Sequence, residues 1–352
     1  MKKLFTSSKY INRNTKRSCD EVKKLKKRKG KGKHYSEKSH QRILKNITTQ
    51  RDKFNKSLFA PQHALPIISL TAPKDFSLVY NTEETIQYFN TAQNRLKKRN
   101  KVLFDISQIQ KLSTDAIAVQ IAKIKDERFI QHGSVSGNEP NDNNLKELFV
   151  QSGFYDYVRT RGPKPVNDKK ILIHKITNNR VEPDIAKDVC LLGLRHTFNN
   201  EEIFEPLYNI LIEVMQNTNN HAGSTRGKYD WWLHVYAHPN STKTSYTFLD
   251  LGIGIFESLP VKSFKRDFFE ILGLTSNLDL VPKLLIGEIK SRTSRPERGK
   301  GIPQVYECSK DVVFNKFFLI SNDIYANLKT GENRIIHTPF NGTLYYWEIK
   351  NN

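Results

Sequence analysis

Glu213, Asn217, Asn220 and His221 recur at offsets of four, seven and eight residues within LIEVMQNTNNHAG, Leu211 to Gly223. That spacing sets them on one side of a helix, while Leu207, Ile210, Leu211, Val214 and Thr218 occupy another. One face of such a helix is built to bury and the other to do chemistry. A carboxylate at Glu213 can polarise a water or a hydroxyl. One turn on, the neutral amide oxygen of Asn217 suits a Mg²⁺ shell completed by waters and phosphate oxygens.

Three further stretches carry residue types that complement this helix. In FLDLGIGIF, Phe248 to Phe256, Asp250 ends an apolar run and Gly252 and Gly254 follow. A carboxylate there can accept a hydrogen bond from the exocyclic amine of adenine, and glycines let a base approach the backbone. In SRTSRPERGKGIPQV, Ser291 to Val305, Gly299 and Gly301 can turn backbone N–H groups toward phosphate oxygens, with Lys300 adding a point charge. Arg292, Arg295 and Arg298 are candidates for a phosphate clamp, though exposed loop arginines are commonly just solvated. In NGTLYYWEI, Thr343 enters a final strand and can complete a base pocket. Alone, each of these signals is weak.

The elements that must position these residues follow from pattern. LPIISLTAPKDFSLVY reads as extended, TEETIQYFNTAQNRLKKRN as a helix and KVLFDIS as a buried strand. STDAIAVQIAKIKD reads as a second helix, capped by Ser113 or Thr114. A strand near FIQHGSVSG and a helix over NLKELFVQSGFYDYV complete an α/β alternation. RTRGPKPVNDKK, near residues 159–170, is the best candidate linker. Beyond it, KILIHKI reads as a strand, DWWLHVYAH and TSYTFLDLG as a hairpin, and helices near 263–290 precede β-rich sequence. Tyr345, Tyr346 and Trp347 alternate as on a strand, which places them in core and on surface in turn.

Charge is concentrated at one end. The chain of 352 residues has a formal net charge of +21; residues 1–60 hold 20 Lys/Arg against 4 Asp/Glu, and the remainder 37 against 32. Lys23 to Arg42 has no apolar periodicity, so a polyanion, DNA or RNA, is its natural partner through counterion release. A solubilising arm is the bland alternative. Three cysteines, Cys19, Cys190 and Cys308, are too few for a disulfide framework, and no apolar run reaches the length of a membrane span. A cytoplasmic protein without membrane contact is expected.

Taken in order, EVMQN, DLGIG, GKGI and the late GT resemble the motifs of the GHKL family: gyrase, ninety-kilodalton heat-shock chaperones, histidine kinases and MutL. The resemblance spans about residues 171–350. It implies a Bergerat-type α+β sandwich with a mixed sheet over 171–352 that binds ATP and Mg²⁺. It also implies Glu213 as catalytic acid/base, Asn217 as metal ligand, Asp250, Gly252 and Gly254 at adenine, Gly299, Lys300 and Gly301 in a phosphate lid, and Thr343 in the pocket. Pro303 departs from the usual lid. Residues 61–160 resemble, more faintly, STAS domains, in which a residue at the helix start is phosphorylated. Thr114 stands there, but Ser113, Ala116 and Ala118 depart from that pattern, and a helix cap is the favoured reading. The expected organisation is a basic tail (1–60), a STAS-like α/β domain (61–160), a linker (161–170) and an ATP-binding domain. The expected activity is ATP hydrolysis driving a switch on a protein or nucleic-acid partner. Alternatives are a Ser/Thr kinase switch acting on a STAS-like partner or on itself, and an ATP-gated nucleic-acid binder. A homodimer is left open.

Overall fold

β-branched and aromatic residues in alternation build the centre of this molecule, a five-stranded sheet in the computed structural model. That model describes residues 67–131, 133–160, 162–165, 172–176, 181–221, 230–259, 276–289 and 301–351, with the backbone alone at 172–176, 219–221 and 230. The strands are β6 (Leu172–Ile176), β7 (Asp230–Ala237), β8 (Lys243–Asp250), β9 (Phe314–Asn327) and β10 (Asn333–Lys350), in the order β6-β7-β8-β10-β9. Every ladder in this sheet is antiparallel. The short links β7–β8 and β9–β10 leave no room for a crossover, so those neighbours must run in opposite directions.

Parallel pairing is confined to the N-terminal part. There β1 (Ile67–Thr71), β3 (Lys101–Asp105) and β5 (Ser134–Gly137) form a parallel sheet, and β2 (Asp75–Phe76) pairs with β4 (Lys111–Leu112). The helices α1 (Thr82–Lys97), α2 (Thr114–Lys125), α3 (Glu127–Ile130) and α4 (Asn143–Gln151) alternate with these strands. The mixed sheet expected of the C-terminal part is instead antiparallel among the described residues, and parallel pairing belongs to the N-terminal strands. The long helix expected over 144–158 stops at Gln151, because Gly153 takes a left-handed φ of 80° and only a 3₁₀ turn follows.

Both faces of the five-stranded sheet are covered. Trp231, Leu233, Val235, Tyr246, Phe248, Tyr345 and Trp347 pack on one side against α5 (Pro183–Phe198), α6 (Glu205–His221), α8 (Asn277–Leu285) and α9 (Gly301–Ser309). Trp232, Leu249, Phe318, Leu344 and Tyr346 share the other core with α1 and α2. This corrects the expectation that Tyr345 to Trp347 alternate between core and surface: Tyr346 is 3% exposed. The N-terminal layer supplies what an antiparallel sheet usually leaves to solvent on that side. Trp232 accordingly meets Tyr157 of its own chain, with ring centroids 5.3 Å apart.

Hydrogen bonds stitch the layers. Glu83, in the first turn of α1, accepts from the backbone N–H groups of His337 (2.6 Å) and Thr338 (3.0 Å), and Arg334 donates to Thr82. Buried Asp115 accepts from the N–H groups of Leu78 and Val79, both at 2.8 Å, pinning α2 to the turn after β2. Leu65–Asn352 therefore forms one compact unit; Met1–Ala64, the other, lies outside the described residues. Among the described residues no helix is long and apolar enough to cross a membrane.

Candidate functional site

Helix α6 buries the face its periodicity marks: Leu207, Ile210, Leu211 and Val214 are at most 1% exposed, and Thr218 is 4% exposed. That anchoring turns Glu213 and Asn217 toward the start of α9. A Cβ built on Gly301 would lie 2.6 Å from Asn217 Oδ1 and 2.8 Å from Glu213 Oε2, so both oxygens converge on one point where only glycine fits. Glu213 is partly buried, and burial with no countercharge pushes its carboxyl above the ordinary carboxylate range. Asn217 Nδ2 is buried without a hydrogen-bond partner.

Asp250 closes the other end. It sits at the last position of β8, in register with Trp231 on one side and Thr343 on the other. Its Oδ1 accepts from the Gly252 N–H at 2.8 Å and its Oδ2 from the Thr218 hydroxyl at 3.3 Å. Burial dominates those bonds and raises its pKa from 3.8 to about 6.

Between these ends lies a cleft of about 770 Å³, counting its open side. Asn217, Thr218, Asp250, Gly254, Gly301 and Thr343 all line it. Two of the expected residues do not. Glu213 stands behind Gly301, and Gly252 spends its N–H on Asp250 and lines a neighbouring cavity with Lys123, Arg128 and Asn322. Gly299 and Lys300 lie outside the described residues, as do Arg292, Arg295, Arg298 and the side chains of Asn220 and His221.

Several residues that shape the cleft escaped the sequence reading. Asn322 Oδ1 accepts from the N–H groups of Phe256 (3.0 Å) and Glu257 (3.3 Å), and its Nδ2 donates to Ile253 O (2.9 Å). It thereby holds the loop after Asp250. Gly254, at φ 82°, presses against it so closely that a Cβ would lie 2.4 Å from Asn322 Oδ1. The available signal was an Asn-Asp pair interrupting an apolar strand, and Asn322 does adopt a left-handed φ of 54°. Tyr345 also lines the cleft, with its hydroxyl buried and unpartnered.

The β9–β10 ladder is interrupted here: Thr343 pairs with Ser321 and Phe340 with Asn322, leaving Asn341 and Gly342 over as a bulge. Gly342 has φ 130°, and a Cβ on it would sit 2.1 Å from the backbone oxygen of Asp250. Backbone cannot yield as a flexible side chain can. Gly342→Ala is expected to cost about 2–4 kcal/mol, read as a lower denaturant midpoint at unchanged slope; an unchanged midpoint would refute the close approach.

At α9, Pro303 stands in the first turn, where its missing N–H leaves no helical bond unmade, so the helix runs on to Ser309. Thr114 is the first residue of α2, preceded by Ser113 at the cap position, and neither side chain makes a capping bond. The expected capping role of Thr114 is not what its hydroxyl does. Among the described residues no group of three or more His, Cys, Asp or Glu side chains is placed to hold a metal ion.

No protein-family model and no curated protein matches this chain.

Proposed function

We propose that the chain binds Mg²⁺-ATP in the cleft between α6, α9 and the ends of β8 and β10, and hydrolyses it. One observation carries this reading: Asn217, Asp250, Gly254, Gly301 and Thr343, from separate parts of the sequence, line a single cavity. Their chemistry is ordered along it. Asp250, ionised above about pH 6, accepts from the adenine amine, with Thr218 and Thr343 beside it. Gly254 leaves room for the base edge.

At the far end Asn217 Oδ1 fits one position in a Mg²⁺ shell, since its Nδ2 has no hydrogen-bond partner among the described residues and its oxygen faces the same point as the Glu213 carboxylate. A bound Mg²⁺ neutralises charge on the transferred phosphoryl group. Glu213, its proton affinity raised by burial, takes a proton from the attacking water. The N-terminus of α9, with Gly301 and the Gly299–Lys300 segment before it, gathers phosphate oxygens through N–H groups and helix dipole. Gly301 lies so near Glu213 and Asn217 that a triphosphate requires the start of α9 to shift outward and close again around it. The loop after Asp250 carries such a change to the N-terminal layer, because Arg128 of α3 donates to Leu251 O at 3.0 Å.

Phosphotransfer to another protein uses the same groups, so kinase activity is the second reading. Transfer onto Thr114 of the same chain has nothing in its favour, since that residue is 4% exposed in the layer behind the sheet. Contact with nucleic acid through residues 1–60 remains a proposal resting on charge alone, in a segment outside the described residues. Calorimetry with ATP and Mg²⁺, followed by product analysis, tests the reading. Saturable Mg²⁺-dependent binding with release of free phosphate is expected, a phosphopeptide would favour the kinase, and no saturable binding would overturn both.

A further inference from the structure

A second cavity, about 850 Å³ counting its open side, lies where the N-terminal layer meets the back of the five-stranded sheet. Tyr80, Ser113 and Thr114 line it from one side, and Lys243, Lys316 and Glu348 from the other. Tyr346, a back-face residue, forms part of its wall, so the cavity is separated from the first by the sheet itself.

Its hydrogen-bonding inventory is unbalanced toward donors. Each lysine ammonium carries three N–H groups and no acceptor. Lys316 donates to the Tyr80 hydroxyl at 2.5 Å and otherwise reaches only Glu348 Oε2, at 3.5 Å. Lys243 reaches Glu348 Oε1, also at 3.5 Å. Glu348 is 2% exposed; the Tyr346 hydroxyl donates to its Oε1 at 2.5 Å, while Oε2 accepts no hydrogen bond. One carboxylate thus serves two ammoniums at long range. His238 adds no charge at neutral pH, since burial pushes its pKa down to about 4. On the rim Lys111 and Asp75 stand 4.0 Å apart and cancel.

Two observations point to a missing acceptor. Thr114, which is 4% exposed, lines the cavity, and its hydroxyl has no hydrogen-bond partner among the described residues. Thr114 also begins the 12-residue helix α2, where Ser113 at the cap position makes no side-chain capping bond and the first-turn carboxylate of Asp115 is turned to the N–H groups of Leu78 and Val79. A buried orphan hydroxyl, an uncapped helix start and two ammoniums with spare donors call for one group that only accepts, through several oxygens. We propose that this cavity binds a phosphate-type oxyanion, either free phosphate or the phosphoryl end of a small metabolite. Such an anion would tie α2 to β8, β9 and β10. This site is independent of the nucleotide reading.

The test is calorimetry on the full chain at low salt, with inorganic phosphate and separately with glycerol phosphate. Saturable binding is expected in the native protein and, undiminished, in Gly301→Ala, whose added Cβ would crowd Asn217 and Glu213 at the proposed phosphate end of the first cleft. Lys243→Gln combined with Lys316→Gln should weaken it at least about tenfold. Thr114→Val should weaken it several-fold while leaving the ligand-free protein at least as stable, because it removes an unpaired buried hydroxyl; this variant decides the matter if the double variant fails to fold. Tighter binding of the ester identifies a metabolite, and equal binding identifies free phosphate. The proposal is overturned if neither probe binds saturably, if binding survives the lysine substitutions, which would place it on the basic segment, or if Gly301→Ala alone abolishes it.

Discussion

Glu213→Gln is expected to lower ATP turnover by roughly 10²- to 10⁴-fold, the usual contribution of a positioned general base, with little change in ATP affinity. Gln keeps the volume and the polar contact but cannot take a proton from water. The position argues for this split: Glu213 stands beside Asn217 at the proposed phosphate end, 2.8 Å from where a Gly301 Cβ would be, and does not itself line the cleft. Its proton affinity is raised by burial, which makes the carboxylate a stronger base. Single-turnover release of phosphate, measured beside calorimetric affinity, checks both halves. Unchanged turnover would remove Glu213 from the mechanism, and a large loss of affinity would make it a binding residue instead.

Asp250→Asn should weaken ATP binding by about 10- to 100-fold, the worth of a hydrogen bond to a charged acceptor, and at the same time stabilise the protein above pH 7. The sign follows from linkage. The Asp250 pKa is about 6 in the fold against an ordinary 3.8, so between those values the folded state holds a proton that the unfolded chain has released. Stability therefore falls as pH rises through that window and stays lowered above it. For a group this buried the effect is on the order of 2–3 kcal/mol. An amide at this position removes it, and its oxygen can still accept from the Gly252 N–H. The variant should melt higher than the native protein at pH 8 and equally at pH 4. A variant that loses stability at pH 8 would show that the carboxylate is held for folding rather than for a ligand.

That expected conflict between stability and affinity bears on what a sequence can reveal. The buried face of α6 was legible because its apolar residues repeat with helical period, and the packed structure keeps every one of Leu207, Ile210, Leu211, Val214 and Thr218 inside. The β7–β8 hairpin was legible for the same reason, since alternation and a polar five-residue link leave little choice of pairing. Asn322 was not. Its amide acts on Ile253, Phe256 and Glu257, more than sixty residues away in the chain, and no local pattern encodes a hydrogen bond of that range. Gly342 is similar: it belongs to a bulge forced against the backbone of Asp250, which nothing in the letters Asn-Gly reveals.

The role of the N-terminal layer also lay beyond pattern. A Pro-, Gly- and charge-rich stretch near residues 159–170 looks like a boundary between independent parts, yet Leu65–Asn352 is one unit because α1 and α2 share a core with Trp232, Leu249 and Tyr346. Whether a strand's second face meets water or another layer depends on what else the chain brings to it, and alternating large residues read the same in either case.

By itself the sequence determined the α/β character, much of the succession of helices and strands and the concentration of charge in residues 1–60, since periodicity and composition are local properties. Tertiary structure alone decided that Asn217, Asp250, Gly254, Gly301 and Thr343 face one cleft, that Glu213 stands behind Gly301, and that lysines from two strands enclose a second cavity beside Thr114. Those relations join residues distant along the chain, and they come into being only when burial of both sheet faces brings the segments together.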